Sequence, residues 1–156
     1  MKIHVEQMTD RAQWERFWET NAPQALFQSW LWGEVTKHQS VPLIRFGLYD
    51  GLQLIGIFQV VTVRARRGTY LHLRHGPILA AQTLSHWRVV IASLRTLAHR
   101  EGAWFLRMSP QIDDSPAHRT LFRSLGLIPS VVHELDAERC LLLPLGQSED
   151  ELLSGM

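Results

Sequence analysis

The sequence contains a single cysteine, and this scarcity excludes several kinds of small protein. Cys140 has no partner for a disulfide within the chain, and no pair or quartet of cysteines offers a zinc site. A chain without internal disulfides fits a reducing compartment. Because Cys140 lies in an apolar stretch, we predict that it is an inert packing residue.

Long apolar stretches and a strong excess of one charge are also missing. The apolar runs are short and interrupted by charge, which excludes a membrane span, and the first ten residues lack the apolar core of a signal peptide. We therefore expect a cytoplasmic protein without an integral membrane segment, which could still contact the inner face of a membrane. A formal net charge of +1 excludes a molecule-wide basic field, so an anionic partner must bind a local patch.

The residues that are abundant indicate one folded domain. Hydrophobic residues make up 46% of the 156 residues and charged residues 20%, which is the composition of a globular protein. Six tryptophans and six phenylalanines provide large apolar surfaces for a core. We predict that the tryptophans lie on the apolar faces of helices, inside that core.

Hydrophobic periodicity predicts the element order β-α-α-β-β-β-α-β-α-β-β-α. The predicted strands cover residues 2–7, 43–49, 52–63, 69–74, 103–108, 131–135 and 139–145. The predicted helices cover residues 10–20, 29–38, 84–101, 115–125 and 149–153, and in the second of them Trp30 and Val35 are expected to face inward. This order predicts an α+β fold, in which a mixed, mostly antiparallel sheet has helices on both faces.

Six short strings of the sequence, taken in order, resemble motifs of the Fem family, which contains the FemA, FemB and FemX proteins. Three of them lie in the first half: FQSWLWGE at 27–34, GLYDG with LIGI at 47–57, and HGPIL at 75–79. The others are GAWFLRMSP at 102–110, LGLIPS at 125–130, and LLLPL followed by SEDELL at 141–153. His75 stands where the family pattern has arginine.

The resemblance implies a fold like that of the acyl-CoA N-acyltransferases (GNAT). It also implies that residues 1–146 form the first lobe of a Fem-type transferase. Residues 147–156 would begin a helix that leads into a second lobe, and a helix this short is not stable alone. We therefore expect the sequence to be the front part of a longer enzyme, and we expect the chain alone to be inactive.

The activity implied by the resemblance is an aminoacyl transfer in peptidoglycan biosynthesis, and so in cell-wall biogenesis and cell shape. An amino acid would move from aminoacyl-tRNA to the stem peptide of a UDP-linked or lipid-linked muropeptide precursor. Converting an ester to an amide is downhill, so the enzyme mainly orients an amine against the ester carbonyl. No cofactor and no metal are expected, and no residue is assigned as catalytic.

Three residues are candidates for binding the substrate. Lys37 is similar to a family lysine that contacts the diphosphate of the precursor. The alternative is that Lys37 is simply solvated on the polar side of its helix. Arg74 and His75 come at the end of a predicted strand, where ligand contacts often lie.

Three arginines in one turn, Arg64, Arg66 and Arg67, are candidates for contact with phosphate or tRNA. The alternative is that these arginines are simply solvated at the tip of a hairpin, an arrangement that needs no ligand. Asp114 and His118 have the spacing of a metal pair but are better explained as the entry to a helix. Arg107 alternates with apolar neighbours. Two alternatives fit this pattern: Arg107 is buried with a carboxylate partner, or it lines a cleft.

Two other functions compete with this one. A stand-alone N-acyltransferase would have a glycine-rich turn that holds the pyrophosphate of coenzyme A, and residues 77–85 lack such glycines. The other alternative is a non-catalytic interaction module made by a truncated gene.

Overall fold

The computed structural model describes residues 2–131, 146 and 148–154. Its strands are β1 (Ile3–Gln7), β2 (Leu43–Asp50), β3 (Gln53–Ala65), β4 (Gly68–Arg74), β5 (Ile78–Leu79) and β6 (Leu106–Ser109). Its α-helices are α1 (Arg11–Asn21), α2 (Trp30–His38), α3 (Leu84–Glu101), α4 (Pro116–Ser124) and α5 (Glu149–Ser154), and a 3-10 turn covers Leu26–Gln28. The strands predicted at 131–135 and 139–145, Cys140 and the LLLPL string lie outside the described residues, apart from Val131.

The strands form one mixed sheet in the order β1-β2-β3-β4-β6, with the short β5 paired to β3. All pairs are antiparallel except β4 with β6, which run parallel from Leu71 opposite Leu106 to Arg74 opposite Ser109. A parallel pair needs a crossover, and α3 provides it. The mixed, mostly antiparallel sheet was therefore predicted correctly.

Each face of the sheet is covered by helices and has its own apolar core. On one face, α3 buries Trp87, Val90, Ile91, Leu94 and Leu97 against side chains of β2, β3 and β4. On the other, Trp14 of α1 packs with Ile57 and Ile78. Helices on both faces were expected from the sequence, and the structure confirms them.

Local signals in the sequence set most of the helix ends. The side chains of Asp10, Ser29, Thr83 and Ser115 each accept a hydrogen bond from a backbone N–H in the first turn of the helix that follows. Helix α3 ends at Gly102, which has a φ of +63° in the left-handed region that glycine adopts freely.

Three expectations about burial and strand ends are wrong. Val35 is 41% exposed, because the buried positions of α2 are Gly33 and Thr36. Trp104 is 77% exposed instead of lying in the core. The strand expected at 103–108 begins only at Leu106, since Trp104 and Phe105 form single backbone bonds to Thr69 and Leu71 before the ladder starts.

Within the part of the chain that the structure describes, no helix is both long enough and apolar enough to cross a membrane.

Candidate functional site

On one edge of β3 the sheet has an opening between the ladder to β4 and the ladder to β5. The side chain of Gln28 fills this opening. Strand β3 pairs with β4 over Val61–Ala65 and with β5 over Gly56–Ile57, which leaves an interval between the two ladders. Gln28 Oε1 accepts from the backbone N–H of Gln59 (2.8 Å), and Nε2 donates to the carbonyls of Gln59 (3.2 Å) and Arg74 (2.6 Å). One fully buried amide thus replaces the missing ladder bonds.

A buried arginine lies next to this amide, beneath helix α2. Arg45 is 3% exposed and donates to Gln59 Oε1 (3.1 Å), Glu34 Oε1 (2.8 Å) and the carbonyl of Trp30 (2.7 Å). Its guanidinium also lies 3.6 Å from the centroid of the Trp30 ring. A Cβ on Gly33 would lie 2.1 Å from Arg45 Nη2, so the helix can lie over the arginine only because residue 33 is glycine.

Lys37 shares the carboxylate that pairs with Arg45. Lys37 Nζ lies 3.2 Å from Glu34 Oε1, the same oxygen that accepts from Arg45. The hydrogen bond from Arg45 is the main cause that lowers the pKa of Glu34, and Lys37 adds to it while partial desolvation opposes both. Burial lowers the pKa of Arg45, and the bond to Glu34 opposes that shift. Two cations share one carboxylate, so positive charge remains at Lys37, whose side chain is 46% exposed.

Arg74 and His75 lie where the parallel strands β4 and β6 separate. The ladder ends at Arg74 opposite Ser109, and the next N–H, that of His75, donates to Ser109 Oγ (3.3 Å). His75 has a φ of +54°, a left-handed conformation that turns the chain away from β6 and is costly for a residue with a side chain. Ligands of sheets with parallel strands commonly bind outside the carboxyl ends, where neighbouring strands diverge.

Aromatic rings hold both of these side chains in place. The guanidinium of Arg74 lies 3.4 Å from the centroid of the Phe27 ring, and the His75 ring meets the same phenylalanine at 4.5 Å, edge to face. Phe27 in turn contacts Trp32 at 4.9 Å. We call these five residues, Phe27, Trp32, Arg74, His75 and Ser109, the strand-end cluster. The cluster thus brings a guanidinium, an imidazole and a hydroxyl together at the carboxyl ends of β4 and β6. A guanidinium donates parallel hydrogen bonds to phosphate or carboxylate, so these are the ligand groups that the chemistry of the cluster favours.

The basic turn is also where the sequence predicted it. Arg66 and Arg67 form the two-residue connection between Ala65 and Gly68, and both are exposed. Arg64 is exposed as well and lies 3.7 Å from Glu101 at the end of α3. This turn is at the amino end of β4, whereas the strand-end cluster is at its carboxyl end.

The structure therefore groups the predicted residues into three places. It brings Arg74 and His75 together around Phe27, it pairs Lys37 with Glu34 at the other end of α2, and it keeps the arginine turn apart from both. What each place binds stays a prediction.

Sequence reasoning missed the buried polar network of Gln28, Arg45 and Gln59. Two signals point to it: an arginine and a glutamine that interrupt apolar strands, and a glutamine directly before the helix cap Ser29. The network also explains the string QSWLWG, because Gln28 bridges strands, Ser29 caps α2 and Gly33 admits Arg45.

The remaining candidates are the pair Asp114 and His118 at the entry to α4, and Arg107 in β6. Ser115 caps α4 by accepting from the N–H of His118, and Asp114 pairs with Arg119, which confirms the helix entry. Within the described ranges, no group of three or more His, Cys, Asp or Glu side chains could hold a metal ion. Arg107 donates to Ser130 Oγ at 3.3 Å, beside a cleft of about 430 Å³ lined by Met108, Phe122 and Ser130.

Comparisons with known proteins agree with this architecture. The model of the FemAB family matches residues 9–119. A crystal structure of FemX has a TM-score of 0.70 at 15% sequence identity, and the match covers 81% of this chain but 32% of FemX. The chain thus spans about a third of the length of that protein. No protein with a curated description matches the sequence.

Acetyltransferases of similar size share the fold. An aminoglycoside acetyltransferase from an uncultured soil metagenomic sample has a TM-score of 0.60 at 15% identity, with 86% of this chain and 97% of that chain covered. Glucosamine-6-phosphate N-acetyltransferase from Arabidopsis thaliana has a TM-score of 0.61 at 8% identity, with 89% and 100% covered. At these identities the similarity concerns the fold, which confirms the GNAT-like architecture expected from the sequence.

Proposed function

The chain belongs to the FemAB family, and from this we propose that it is part of an aminoacyltransferase of peptidoglycan biosynthesis. The enzyme would move an amino acid from aminoacyl-tRNA to the stem peptide of a muropeptide precursor, in the cytoplasm where charged tRNA is found. The family match over residues 9–119 is the observation that carries the proposal. The activity would serve cell-wall biogenesis and cell shape.

Within that enzyme, residues 1–146 would form the first lobe and residues 147–156 would begin the connection to a second. The share of FemX that the match covers, 32%, is consistent with one lobe of a larger protein. The first lobe would bind the precursor, and the second would supply most contacts to the reacting atoms. The 156-residue chain would then transfer no amino acid by itself.

The reaction itself makes modest demands on side chains. A neutral amine of the stem peptide attacks the ester carbonyl of the aminoacyl-tRNA, a C–N bond forms, and the C–O bond to the ribose breaks. The amine loses a proton and the leaving ribose oxygen gains one, so the atoms balance without a cofactor. Catalysis would come mainly from orienting the two substrates and stabilising the oxyanion.

The two cationic places beside α2 suit the charge of the precursor. Arg74 and His75, at the carboxyl ends of β4 and β6, would contact one anionic group. Lys37, which keeps positive charge because Glu34 is shared with Arg45, would contact a phosphate oxygen. A lipid-linked precursor would bring the same surface to the inner face of the membrane.

Calorimetric titration of the purified chain with a UDP-linked muramoyl pentapeptide tests this proposal. We expect saturable binding, and we expect Lys37→Ala and Arg74→Ala each to weaken it about tenfold, the loss typical of one charge-assisted contact. Arg16→Ala removes an equal charge from the exposed face of α1 and serves as the control. Absence of binding, or equal weakening by the control, would contradict the role of these residues.

The second candidate is a stand-alone N-acyltransferase, favoured by the near-complete coverage of single-domain acetyltransferases. The described segment between β5 and α3, residues 80–83, contains no glycine, unlike a turn that cradles pyrophosphate. Titration with acetyl-CoA separates the two candidates, because saturable binding would favour the acetyltransferase.

A further inference from the structure

An exposed tryptophan lies flat on the first residue of β4, beside the basic turn. Trp104 is 77% exposed. A Cβ on Gly68 would lie 3.0, 3.0 and 3.1 Å from ring atoms Cδ2, Cε3 and Cε2 of Trp104, so the glycine lies over the face of the indole. One face of the ring therefore rests on backbone, and the high exposure leaves the other face to solvent.

A second aromatic ring follows it and is also held flat. Phe105 is 49% exposed and stacks on Tyr70, with ring centroids 4.9 Å apart and an interplanar angle of 6°. Tyr70 thus covers one face of the Phe105 ring, and the other face is exposed, as in Trp104. Two consecutive residues thus present flat aromatic faces at the amino end of β4.

The charge around these rings is predominantly positive. Arg64 and Arg100 both lie within 3.7 Å of Glu101 and share its carboxylate. Arg66 and Arg67 are exposed at the turn next to Gly68, and no ion pair involves them within residues 2–131, 146 and 148–154. We call this region, Arg64, Arg66, Arg67, Arg100, Trp104 and Phe105, the Trp104 surface. Among the residues that the structure describes, four guanidinium groups there accompany the one carboxylate of Glu101.

We propose that the Trp104 surface binds single-stranded RNA, with an unpaired base stacked on Trp104 and phosphates on Arg66 and Arg67. Flat aromatic faces combined with a basic groove are the means by which proteins hold single strands without reading their sequence. Arginine favours phosphate because its planar fork donates two parallel hydrogen bonds. The identification of this RNA as an aminoacyl-tRNA rests on the proposed function, whereas the binding of single-stranded RNA does not.

An anionic membrane would also attract the arginines, but the aromatic geometry favours RNA. Aromatic residues that enter a bilayer interface extend from the protein surface, with charged residues behind them. Here the residues at the tip of the turn are Arg66 and Arg67, while the Trp104 ring lies flat against Gly68. Insertion of that ring would require both guanidinium groups to enter the apolar layer first, at considerable cost.

The Trp104 surface and the strand-end cluster lie at opposite ends of β4. At about 3.3 Å per residue, Gly68 and Arg74 are separated by about 20 Å. RNA held at Trp104 would therefore not cover the strand-end cluster. The two sites can be tested separately.

Fluorescence anisotropy with a labelled single-stranded RNA of about twelve nucleotides, close to the site size of one small domain, tests the proposal. We expect Trp104→Ala to weaken binding about tenfold and Trp104→Phe, which keeps a ring, to retain most of the affinity. The double variant Arg66→Ala/Arg67→Ala should reduce the slope of log affinity against log salt by about 1.4, since each phosphate contact to a single strand contributes about 0.7.

The double variant Arg16→Ala/Arg88→Ala removes the same charge from exposed positions on α1 and α3 and should leave the slope unchanged. Circular dichroism checks that each variant is folded. Binding to phosphatidylglycerol vesicles without binding to RNA would overturn the proposal in favour of a membrane surface. Equal loss in the control variant, or no effect of Trp104→Ala, would overturn it as well. RNA binding without precursor binding would contradict the precursor-binding role of the chain and leave this surface intact.

Discussion

The guanidinium of Arg74 lies 3.4 Å from the centroid of the Phe27 ring, so a residue that ends a strand is oriented by one that precedes a helix. Phe27 is half-buried and also contacts His75 and Trp32. The position of Arg74 thus depends on the segment between α1 and α2, which is distant from it in sequence.

This contact leads to a prediction about ligand binding. Phe27→Leu keeps an apolar side chain but removes the ring face, and a cation–π contact at a half-exposed site is worth about 0.5–1 kcal/mol. We expect affinity for the muramoyl pentapeptide to fall about threefold in calorimetry, with little change in the free energy of unfolding. Leu26→Ala, at an exposed neighbouring position, should leave affinity unchanged, and an equal loss there would argue against orientation by Phe27.

Gly33 should tolerate no side chain. In Gly33→Ala the new methyl group would meet Arg45 Nη2 at 2.1 Å and Gln59 Oε1 at 2.4 Å. Displacing the buried guanidinium weakens its pair with Glu34, so we expect a loss of about 2 kcal/mol or more in urea unfolding, despite the better helix propensity of alanine. Leu31→Ala on the exposed side of α2 is the control, and equal stability of the two variants would contradict the prediction.

The pair of Glu34 and Arg45 should make stability depend on pH. The pKa of Glu34 is lowered in the folded protein, mainly by the hydrogen bond from Arg45, so its contribution is present above its usual pKa of 4.5 and is lost as pH falls through the lowered value. Glu34→Gln should therefore be less stable than the wild type at pH 7, with a difference that shrinks in acid. The measurement is urea unfolding between pH 7 and pH 3.

Glu19→Gln provides the control for that series, because Glu19 is exposed on α1 and forms no ion pair within the described residues. A difference from wild type that is constant with pH in Glu34→Gln would show that shape, not charge, matters at position 34.

Gln28 should be far more important than its residue type suggests. Gln28→Met preserves the volume but removes every hydrogen bond to Gln59 and Arg74 and leaves buried backbone groups unsatisfied. We expect a loss of about 3 kcal/mol in the free energy of unfolding, since each such group costs about 1–3 kcal/mol. Gln24→Met at an exposed position should have almost no effect. Similar stability of the two variants would mean that water replaces the glutamine.

Local signals account for the parts of the fold that the sequence predicted. The apolar stripe of α3, its cap Thr83 and its terminal Gly102 act over a few residues, and the helix has the predicted limits. The hairpin near Asp50-Gly51 is likewise set by glycine at a φ of +60°. Such features are visible without knowledge of the tertiary structure.

Long-range contacts explain what the sequence did not predict. The exposed ring of Trp104 lies against Gly68 of β4, a contact between residues distant in sequence, whereas tryptophan composition alone favours the core. The members of the network, Gln28, Arg45 and Gln59, lie up to 31 positions apart, and Gln28 also bonds to Arg74 over 46 positions. Each member resembles an ordinary surface residue when considered alone. Arg74 and His75 of the strand-end cluster were candidates from the sequence, whereas Phe27 was assigned only to a family motif and Trp32 to a family motif and the core.

The amide of Gln28 also has a consequence for the motions of the sheet. Because the N–H of Gln59 is bonded to a side chain and not to a neighbouring strand, a rotamer change at one glutamine would expose that proton to deuterium. Protons in the adjacent ladders exchange only when strands separate. The exchange rate of this single amide would therefore report how often the Gln28 side chain leaves its place beside β3, without separation of the strands, where the candidate binding site begins.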